Sequence, residues 1–417
     1  MDNTNTVSCK ENQVFLSLVS RVVTQLYDVS GARQVMDKAD KLQCSKDGED
    51  AVKQAQQATL VLDDPFTKVL DAKQKADLDD RMNGKEKGNG LDLDLFLNPS
   101  ADGKKTNSHI DLAVRDVLPG SPAALAGLKP GDKIEKLNGR PVSDFTVNEI
   151  TALVASERFR VDASREGKSI SAEIKQAELQ TPKVLDRDLG DGVAYIRIRD
   201  FIAQDTDKAV EQAFRRNKGA KAFVLDLRNN PGGRVVDSLN IASMLVEHGK
   251  LAVAEERLPS SLSSPLFTTR QFSVNKDSQI IEGDTKEVTP RKFPYLLNGR
   301  PLIVLVNGNS ASASELLTGA LMNRPNILIA GEKTYGKGVG QTVSEKMTGG
   351  NGVNVTNIKF FAPNGLNAGD GHNKRAGFSA DIPLPKRLPT PSEPDSQIKD
   401  AKDMLKGLMK VQGRVGS

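Results

Sequence analysis

Three serines follow a short apolar segment in an arrangement that could carry nucleophilic chemistry. The apolar residues 302–306 predict a buried strand, and the Asn-Gly-Asn sequence after them predicts a turn. Ser310, Ser312 and Ser314 then lead into a segment with helical spacing that begins near Glu315. A serine at such a turn presents its hydroxyl at a helix N-terminus, where backbone N–H groups can stabilise an oxyanion.

A lysine in a glycine-rich loop is the candidate base for such a serine. The apolar residues 327–330 predict a further strand, which ends in a loop carrying Lys337 between Gly336 and Gly338. A serine hydroxyl is a weak nucleophile until a base takes its proton, and none of the three histidines lies in these segments. Lysine can take that role when it is neutral, and burial can lower its pKa by up to about 3–5 units. Gln341 can hold the lysine amine in place by a hydrogen bond.

A double glycine after another apolar segment predicts a second part of the same site. Residues 222–227 predict a buried strand that runs into Gly232 and Gly233, and the segment after them has helical spacing. Glycines let the backbone approach a ligand closely, and their N–H groups point at the helix N-terminus. We expect the oxyanion donors to be the N–H group of Ala313 and that of Gly232 or Gly233. Neither GxGxxG nor GxxxxGK[ST] is present, so the sequence does not predict a phosphate site.

The periodicity divides the chain into four parts. Residues 1–82 have helical spacing and form either a packed helical cap or an oligomerisation arm. Residues 85–180 switch to a period of two, typical of strands. Residues 185–386 alternate strands with helices, the pattern of a layered α/β fold. Residues 387–417 combine a Pro-rich linker with a short amphipathic helix. Within the third part, residues 258–297 predict an irregular polar insertion.

The segment 85–180 contains SPAALAGLKPGDKI at 121–134, which resembles a PDZ domain of the bacterial protease type, rich in strands and with two helices. The resemblance implies that an apolar C-terminal tail is bound as an added strand, with its carboxylate on backbone N–H groups. The best match to the carboxylate loop is Gly90, Leu91, Asp92 and Leu93; an alternative register begins at Gly88. Asp92 places a negative charge beside the expected peptide terminus, which predicts weaker binding.

Three motifs in this order resemble those of the carboxyl-terminal processing, or tail-specific, serine proteases: VLDLRNNPGG at 224–233, SASASE at 310–315 and TYGKGVGQ at 334–341. The family has an α/β core related to the crotonase fold. Its nucleophile is the middle serine of SASASE, its base is a lysine 25 residues later, and a glutamine follows four residues after the lysine. The resemblance therefore implies the catalytic residues Ser312, Lys337 and Gln341.

Other residues in these motifs are expected to support the site. Ser314 and Glu315 fit a helix cap, Ser310 lies too early in the turn, and Thr334 opens the lysine motif. The sequence departs from the family at Asn323, where an Asp is common.

Composition excludes several other functions. The net charge of +4 comes without a Lys/Arg block or interleaved aromatics, which argues against nucleic acid as a partner. No apolar run reaches the roughly 18 residues that cross a membrane. No metal-ligand motif is present, and peptide hydrolysis by this scheme needs no cofactor. Cys9 and Cys44 either pair, if the protein is exported, or remain two free thiols.

The sequence as a whole predicts an α/β multidomain serine endopeptidase that acts on proteins or peptides with apolar C-termini. The family implies a periplasmic or extracytoplasmic location, and the N-terminal helices could support a homo-oligomer. The alternative is a proteolytically inactive PDZ and crotonase-like protein that serves as a binding module or scaffold.

Overall fold

The computed structural model describes residues 6–45, 49–98, 109–179, 182–387, 393 and 395–415. The chain divides into two compact units. The first comprises residues 1–84 and 183–383, and the second comprises residues 85–182 and 384–417. The predicted Pro-rich linker falls largely outside the described residues.

The N-terminal part of the first unit is mainly helical, as the spacing predicts, with three short strands in addition. Its elements are β1 (Thr6–Ser8), α1 (Gln13–Gln25), α2 (Val29–Ala39), β2 (Gln43–Ser45), α3 (Ala51–Thr59), β3 (Lys68–Leu70) and α4 (Ala72–Met82). Side chains cap α1, α2 and α4, as where Asp71 and Gln74 form a reciprocal capping box. Cys9 and Cys44 are fully buried and form a disulfide, which joins the start of α1 to β2.

The second unit begins with strands and two short helices. These are β4 (Glu86–Gly88), β5 (Leu91–Asn98), β6 (His109–Val117), α5 (Pro122–Leu125), β7 (Lys133–Leu137), β8 (Arg140–Pro141), α6 (Val147–Val154), β9 (Arg158–Arg165), β10 (Lys168–Lys175) and β11 (Ala177–Leu179). The sheet order is β10-β9-β7-β6-β5, so β5 lies at an edge, while β4 pairs with β11. Apolar side chains of the sheet pack against Ile150 of α6 to form the core of this unit.

Within the described residues 183–383, the remaining elements of the first unit are twelve strands with three α-helices between some of them. They are β12 (Val184–Asp188), β13 (Val193–Ile198), α7 (Thr206–Arg216), β14 (Ala222–Asp226), α8 (Val235–Leu245), β15 (Gly249–Leu258), β16 (Leu266–Val274), β17 (Ser278–Glu282), β18 (Lys286–Pro290), β19 (Leu302–Val306), α9 (Ala313–Leu321), β20 (Ile327–Gly331), β21 (Val339–Val343), β22 (Gly352–Phe361) and β23 (Ile382–Pro383). The last helix, α10 (Ser396–Val415), belongs to the second unit.

A largely parallel sheet of order β12-β13-β14-β19-β20-β23 forms the centre of the first unit. Strands β14 and β19 are buried at every position, which is the property of a sheet that is covered on both faces. They pair in parallel with Asp226 opposite Leu305. Their carboxyl ends therefore lie side by side, and the NNPGG turn meets the serine-rich turn there.

A second sheet supplies the lysine side of the site. Its order is β18-β17-β16-β15-β22-β21, and β3 of the N-terminal part pairs with β22. The loop that carries Lys337 runs directly into β21, which contains Gln341. Three antiparallel strands, β16 to β18, lie at 266–290 within residues 258–297, so the prediction of an irregular insertion is wrong there. Serines concentrated in the turn at 259–265 hid the alternation that follows them.

No helix in the described ranges is long and apolar enough to span a bilayer.

We expect the disulfide to stabilise the N-terminal helices, because it closes a loop with a sequence separation of 35 residues. Replacing both cysteines by alanine should lower the free energy of unfolding by about 3–4 kcal/mol, mainly by freeing the unfolded chain. Urea unfolding followed by circular dichroism measures this change. The wild type should lose the same amount on addition of dithiothreitol, and the double variant should not respond to it. A double variant as stable as the oxidised wild type would contradict the prediction.

Candidate active site

The two turns at the ends of β14 and β19 are joined through Asn230. Its side chain is fully buried, accepts a hydrogen bond from the Gly232 N–H at 2.9 Å and donates to the Ile198 carbonyl at 2.9 Å. The Asn230 carbonyl accepts the Ala311 N–H at 3.0 Å and the Ser314 hydroxyl at 2.9 Å. The double-glycine turn is therefore fixed against the residues on either side of Ser312.

Only one of the three serines in this turn is placed to react. The Ser310 hydroxyl is buried and donates to the Leu227 carbonyl at 2.8 Å, and the Ser314 hydroxyl is held by Asn230. Ser312 lies at the N-terminus of α9 with φ of 55° and lines a pocket together with Lys337. Positive φ in a non-glycine residue is strained, and such strain is concentrated at functional sites.

Glu315 connects the serine to the lysine loop. Its carboxylate is 1% exposed and accepts four hydrogen bonds. One oxygen takes the Thr334 hydroxyl at 2.6 Å and the Gly336 N–H at 2.7 Å. The other takes the backbone N–H groups of Lys337 at 2.7 Å and Ser312 at 3.0 Å. Burial raises the pKa of Glu315, and these hydrogen bonds act against that rise because they favour the ionised form.

Thr334 extends this connection by one more step. Its hydroxyl accepts the Phe378 N–H at 2.7 Å while donating to Glu315. The two predicted supporting residues, Glu315 and Thr334, thus belong to one buried hydrogen-bonded network.

The amine of Lys337 is enclosed and held. It donates to Oε1 of Gln341 at 2.9 Å, and the Gln341 amide donates in turn to the Thr356 hydroxyl at 3.1 Å. Its Nζ lies 3.9 Å from the centre of the Phe66 ring. Burial lowers the pKa of Lys337 to about 8, against the nearby charges of Asp64 and Glu315. A minority of the amine, about a tenth at one pH unit below this pKa, is therefore neutral near physiological pH and can act as a general base.

The predicted oxyanion donors lie around Ser312. A Cβ atom on Gly232 would come within 2.8 Å of the Ala313 nitrogen and of the Ser312 Cβ, so only glycine fits at that position. The Gly232 N–H already donates to Asn230, whereas the N–H groups of Gly233 and Ala313 have no acceptor among the described residues. Of the two glycines, Gly233 is therefore the one whose N–H group has no acceptor among the described residues.

The pocket beside Ser312 is small and mainly apolar. Its enclosed space is about 10 Å³, which is room for about one water molecule. Small residues and aromatic rings line this space together; they are Gly319, Ala362, Ala368, Phe360, Phe361 and Phe378. Such a lining favours an apolar group over a polar one.

The predicted peptide-binding residues begin the edge strand of the second unit. Gly90 has φ of +78°, and a Cβ there would come within 2.1 Å of Ser121, so the close approach to α5 requires glycine. The Leu91 N–H already donates to the Asn89 side chain at 2.9 Å. Asp92 forms an ion pair with Arg115 of β6, which reduces the repulsion predicted from its charge. Leu93 packs against the core of the unit.

Sequence reasoning missed three residues of the site. Asn230 stood inside the quoted NNPGG motif, and its position before a Pro-Gly-Gly turn could have indicated a role in the turn. Asp64 and Phe66 stand just over 270 residues before Lys337, and no local pattern connects the two segments. Within the described ranges, no cluster of three or more His, Cys, Asp and Glu side chains is arranged to hold a metal ion.

Comparison with known proteins identifies the class to which this site belongs. Residues 192–383 match the model of peptidase family S41, and residues 114–162 match a PDZ domain model. The chain is 31% identical over 80% of its length to the chloroplastic C-terminal processing peptidase of Tetradesmus obliquus, of which the match covers 68%. It is 31% identical to the carboxyl-terminal-processing protease of Synechocystis and 28% identical to CtpA of Bacillus subtilis. These matches cover 72% and 73% of this chain, but only 64% and 58% of the relatives.

Solved structures agree with this assignment. The photosystem II D1 C-terminal processing protease is 26% identical, with a TM-score of 0.55 over 91% of this chain and 93% of its own. A putative S41 protease from Bacteroides fragilis has the same fold, with a TM-score of 0.60 at 16% identity over 94% of this chain and 97% of its own. This chain therefore belongs to the carboxyl-terminal processing proteases of peptidase family S41, and its fold is α/β multidomain with a PDZ domain.

We expect Glu315→Gln to disorder the connection between the two loops. The amide offers one accepting oxygen in place of two, so about two buried donors lose their partner at a cost of roughly 2–6 kcal/mol. Misplacement of Ser312 and Lys337 should lower kcat by about 10²-fold. Peptide hydrolysis and urea unfolding measure the two effects. The matched control is Glu345→Gln, which removes an exposed carboxylate. Equal kcat for the two variants would contradict the prediction.

Proposed function

We propose that this chain is a serine endopeptidase in which Ser312 is the nucleophile and Lys337 the general base. The observation that carries the proposal is the lysine amine itself: it is buried, its pKa is lowered to about 8, and it lines the same pocket as Ser312. Gln341 holds this amine by accepting one of its hydrogen bonds. The alternative of an inert scaffold gives no reason for a buried, partly neutral lysine beside a strained serine.

The proposed reaction has two stages. Neutral Lys337 takes the proton of the Ser312 hydroxyl while the oxygen attacks the substrate carbonyl carbon. The N–H groups of Ala313 and Gly233 stabilise the resulting oxyanion, and the lysine ammonium gives its proton to the leaving amine. A water molecule, deprotonated by the again neutral lysine, then attacks the acyl ester and releases the second product. The apolar pocket selects an apolar residue before the cleaved bond.

The PDZ domain is proposed to capture the C-terminal tail of the substrate. The edge strand β5 begins directly after Gly90, so a tail can pair with it as a further strand beside α6. The Asp92–Arg115 ion pair leaves the start of that strand less repulsive toward a terminal carboxylate.

The protein is also proposed to lie outside the cytoplasm. Its buried disulfide agrees with this location, because disulfides persist in oxidising compartments. The N-terminal helices are further proposed to support a homo-oligomer.

The dyad is tested with a peptide that ends in apolar residues. Ser312→Ala and Lys337→Ala should each lower kcat by at least about 10³-fold, because each removes one partner of a single proton transfer. Lys333→Ala is the matched control, since that lysine is exposed and lies four residues earlier in the same loop. It should keep wild-type turnover, measured by release of the product amine. Turnover that survives Lys337→Ala would reject the base, and a wild type without turnover would favour the scaffold.

Tail capture is tested with two versions of one substrate, which differ only in a free or amidated C-terminus. We expect amidation to raise KM by about tenfold, since the charge that the PDZ domain recognises is lost, with a smaller effect on kcat. Deletion of the three C-terminal apolar residues should act in the same direction. Equal kcat/KM for the free and amidated substrates would count against recognition of the tail.

A further inference from the structure

A segment of the N-terminal part, residues 62–67, lies directly over the proposed base. The Phe66 ring centre is 3.9 Å from Nζ of Lys337. Gly371 lies beside both residues: a Cβ atom there would come within 2.8 Å of the Phe66 ring and 3.2 Å of the Lys337 Cγ. The ring therefore covers the amine, and Gly371 leaves no space for a further side chain where the ring meets the lysine stem.

Several hydrogen bonds hold this segment in place. Asp64 accepts the Phe66 N–H at 2.9 Å and the Thr67 hydroxyl at 2.5 Å. Thr67 accepts the Thr356 N–H at 3.0 Å, and the Asn354 side chain donates to the Phe66 carbonyl at 3.2 Å. Strand β3 continues the contact by pairing with β22. Phe66 is thus fixed to the same sheet that carries Gln341.

Three charged residues act on the lysine from the elements around it: Asp64 and Lys68 from the N-terminal part and Glu315 from α9. Asp370 pairs with Lys337 through an isolated backbone bridge, and its carboxylate accepts the N–H groups of His372 and Lys374. Glu315 is already occupied by four donors, and among the charges that favour the ammonium form Asp64 contributes most. Burial, to which the Phe66 ring contributes, favours the neutral form.

Solvent is close on the far side of the segment. Leu62 and Asp64 line an open cleft of about 770 Å³, which also touches Val339 and Asp370 next to the lysine loop. Removal of the Phe66 ring would therefore connect the amine with bulk water.

We propose that Asp64 and Phe66 are positioning residues for the general base: Phe66 shields the amine of Lys337 from water, and Asp64 stabilises the ammonium that forms when the lysine takes a proton. This inference rests on the proposed role of Lys337 as the base. Asp64 favours the charged form of the amine and the Phe66 cover favours the neutral form. Together they set the pH at which the lysine can accept the serine proton.

Two measurements test the inference. The first is the pH dependence of kcat/KM. The second, made in the Ser312→Ala background, is the pH dependence of acetylation of the Lys337 amine by acetic anhydride, followed by mass spectrometry. For the wild type, both should rise with pH to a plateau with a midpoint near 8, because the amine becomes neutral as the pH passes its pKa. Asp64→Asn should lower the midpoint by about half a unit, which raises kcat/KM at pH 7 about threefold.

The Phe66 variants should separate shielding from ring electrostatics. Phe66→Ala admits water, so the midpoint should rise by about one unit and kcat/KM at pH 7 should fall about tenfold. Phe66→Leu keeps an apolar cover but loses the ring face that attracts a cation, so its midpoint should stay at or below that of the wild type. The matched control for Asp64→Asn is Asp63→Asn, whose carboxylate is 82% exposed and contacts His372; its midpoint should equal that of the wild type.

The inference would be overturned if the acetylation midpoint did not move in Asp64→Asn and Phe66→Ala. It would also be overturned if the midpoint moved equally in Asp63→Asn. Either result would leave the dyad intact. Midpoints that move for acetylation but not for hydrolysis would instead reject Lys337 as the base, and with it the proposed function. Thermal unfolding of each variant identifies any that fail to fold; Asp64→Ser, whose hydroxyl can still accept the Phe66 N–H, then replaces Asp64→Asn.

Discussion

The buried carboxylate of Glu315 is the interaction on which the site depends. The serine turn follows β19, whereas the lysine loop runs from β20 of the same sheet into β21 of the other. One backbone hydrogen bond, from the Tyr335 N–H to the Ser310 carbonyl at 3.0 Å, joins the two loops directly, without a regular ladder. Glu315 takes one backbone N–H from the serine side and two backbone N–H groups and a hydroxyl from the lysine side. A buried charge without partners would cost several kcal/mol, whereas four donors and a helix N-terminus stabilise this one. Only an ionised carboxylate accepts from all four donors. The charged form of Glu315 therefore holds the backbone of Ser312 close to that of Lys337.

Close backbone contacts provide the rest of the geometry. Gly232 lies against Ser312 and Ala313 at distances that no side chain permits, and Gly371 does the same for Phe66 and Lys337. These contacts leave little room for water around the proposed base and the proposed oxyanion donors. The central sheet makes them possible, because the in-register pairing of β14 with β19 sets the two turns side by side. The polar site thus rests on a fully buried pair of strands.

Much of this arrangement could be predicted from the sequence, because its signals are local. Apolar runs predicted the strands that carry the site, and the glycines marked the turns beside it. The spacing of Lys337 from Ser312 came from a family resemblance, and the structure adds a physical reason for choosing that serine, since the hydroxyls of Ser310 and Ser314 are engaged elsewhere. The strands β16 to β18 were missed because a serine-rich turn hid their alternation. The four partners of Glu315 and the approach of Phe66 could not be predicted, because they depend on contacts between segments that are distant in sequence.

The pairing of β3 with β22 has a consequence for how this family can diversify. The three catalytic motifs lie at 224–341, within the region that the S41 model describes, whereas the segment over the lysine lies at 62–67, well outside it. The part of the chain proposed to perform the chemistry is thus separate from the part proposed to adjust the strength of its base. If so, substitutions in a short N-terminal loop would adapt the activity to compartments of different acidity while the three motifs stay unchanged.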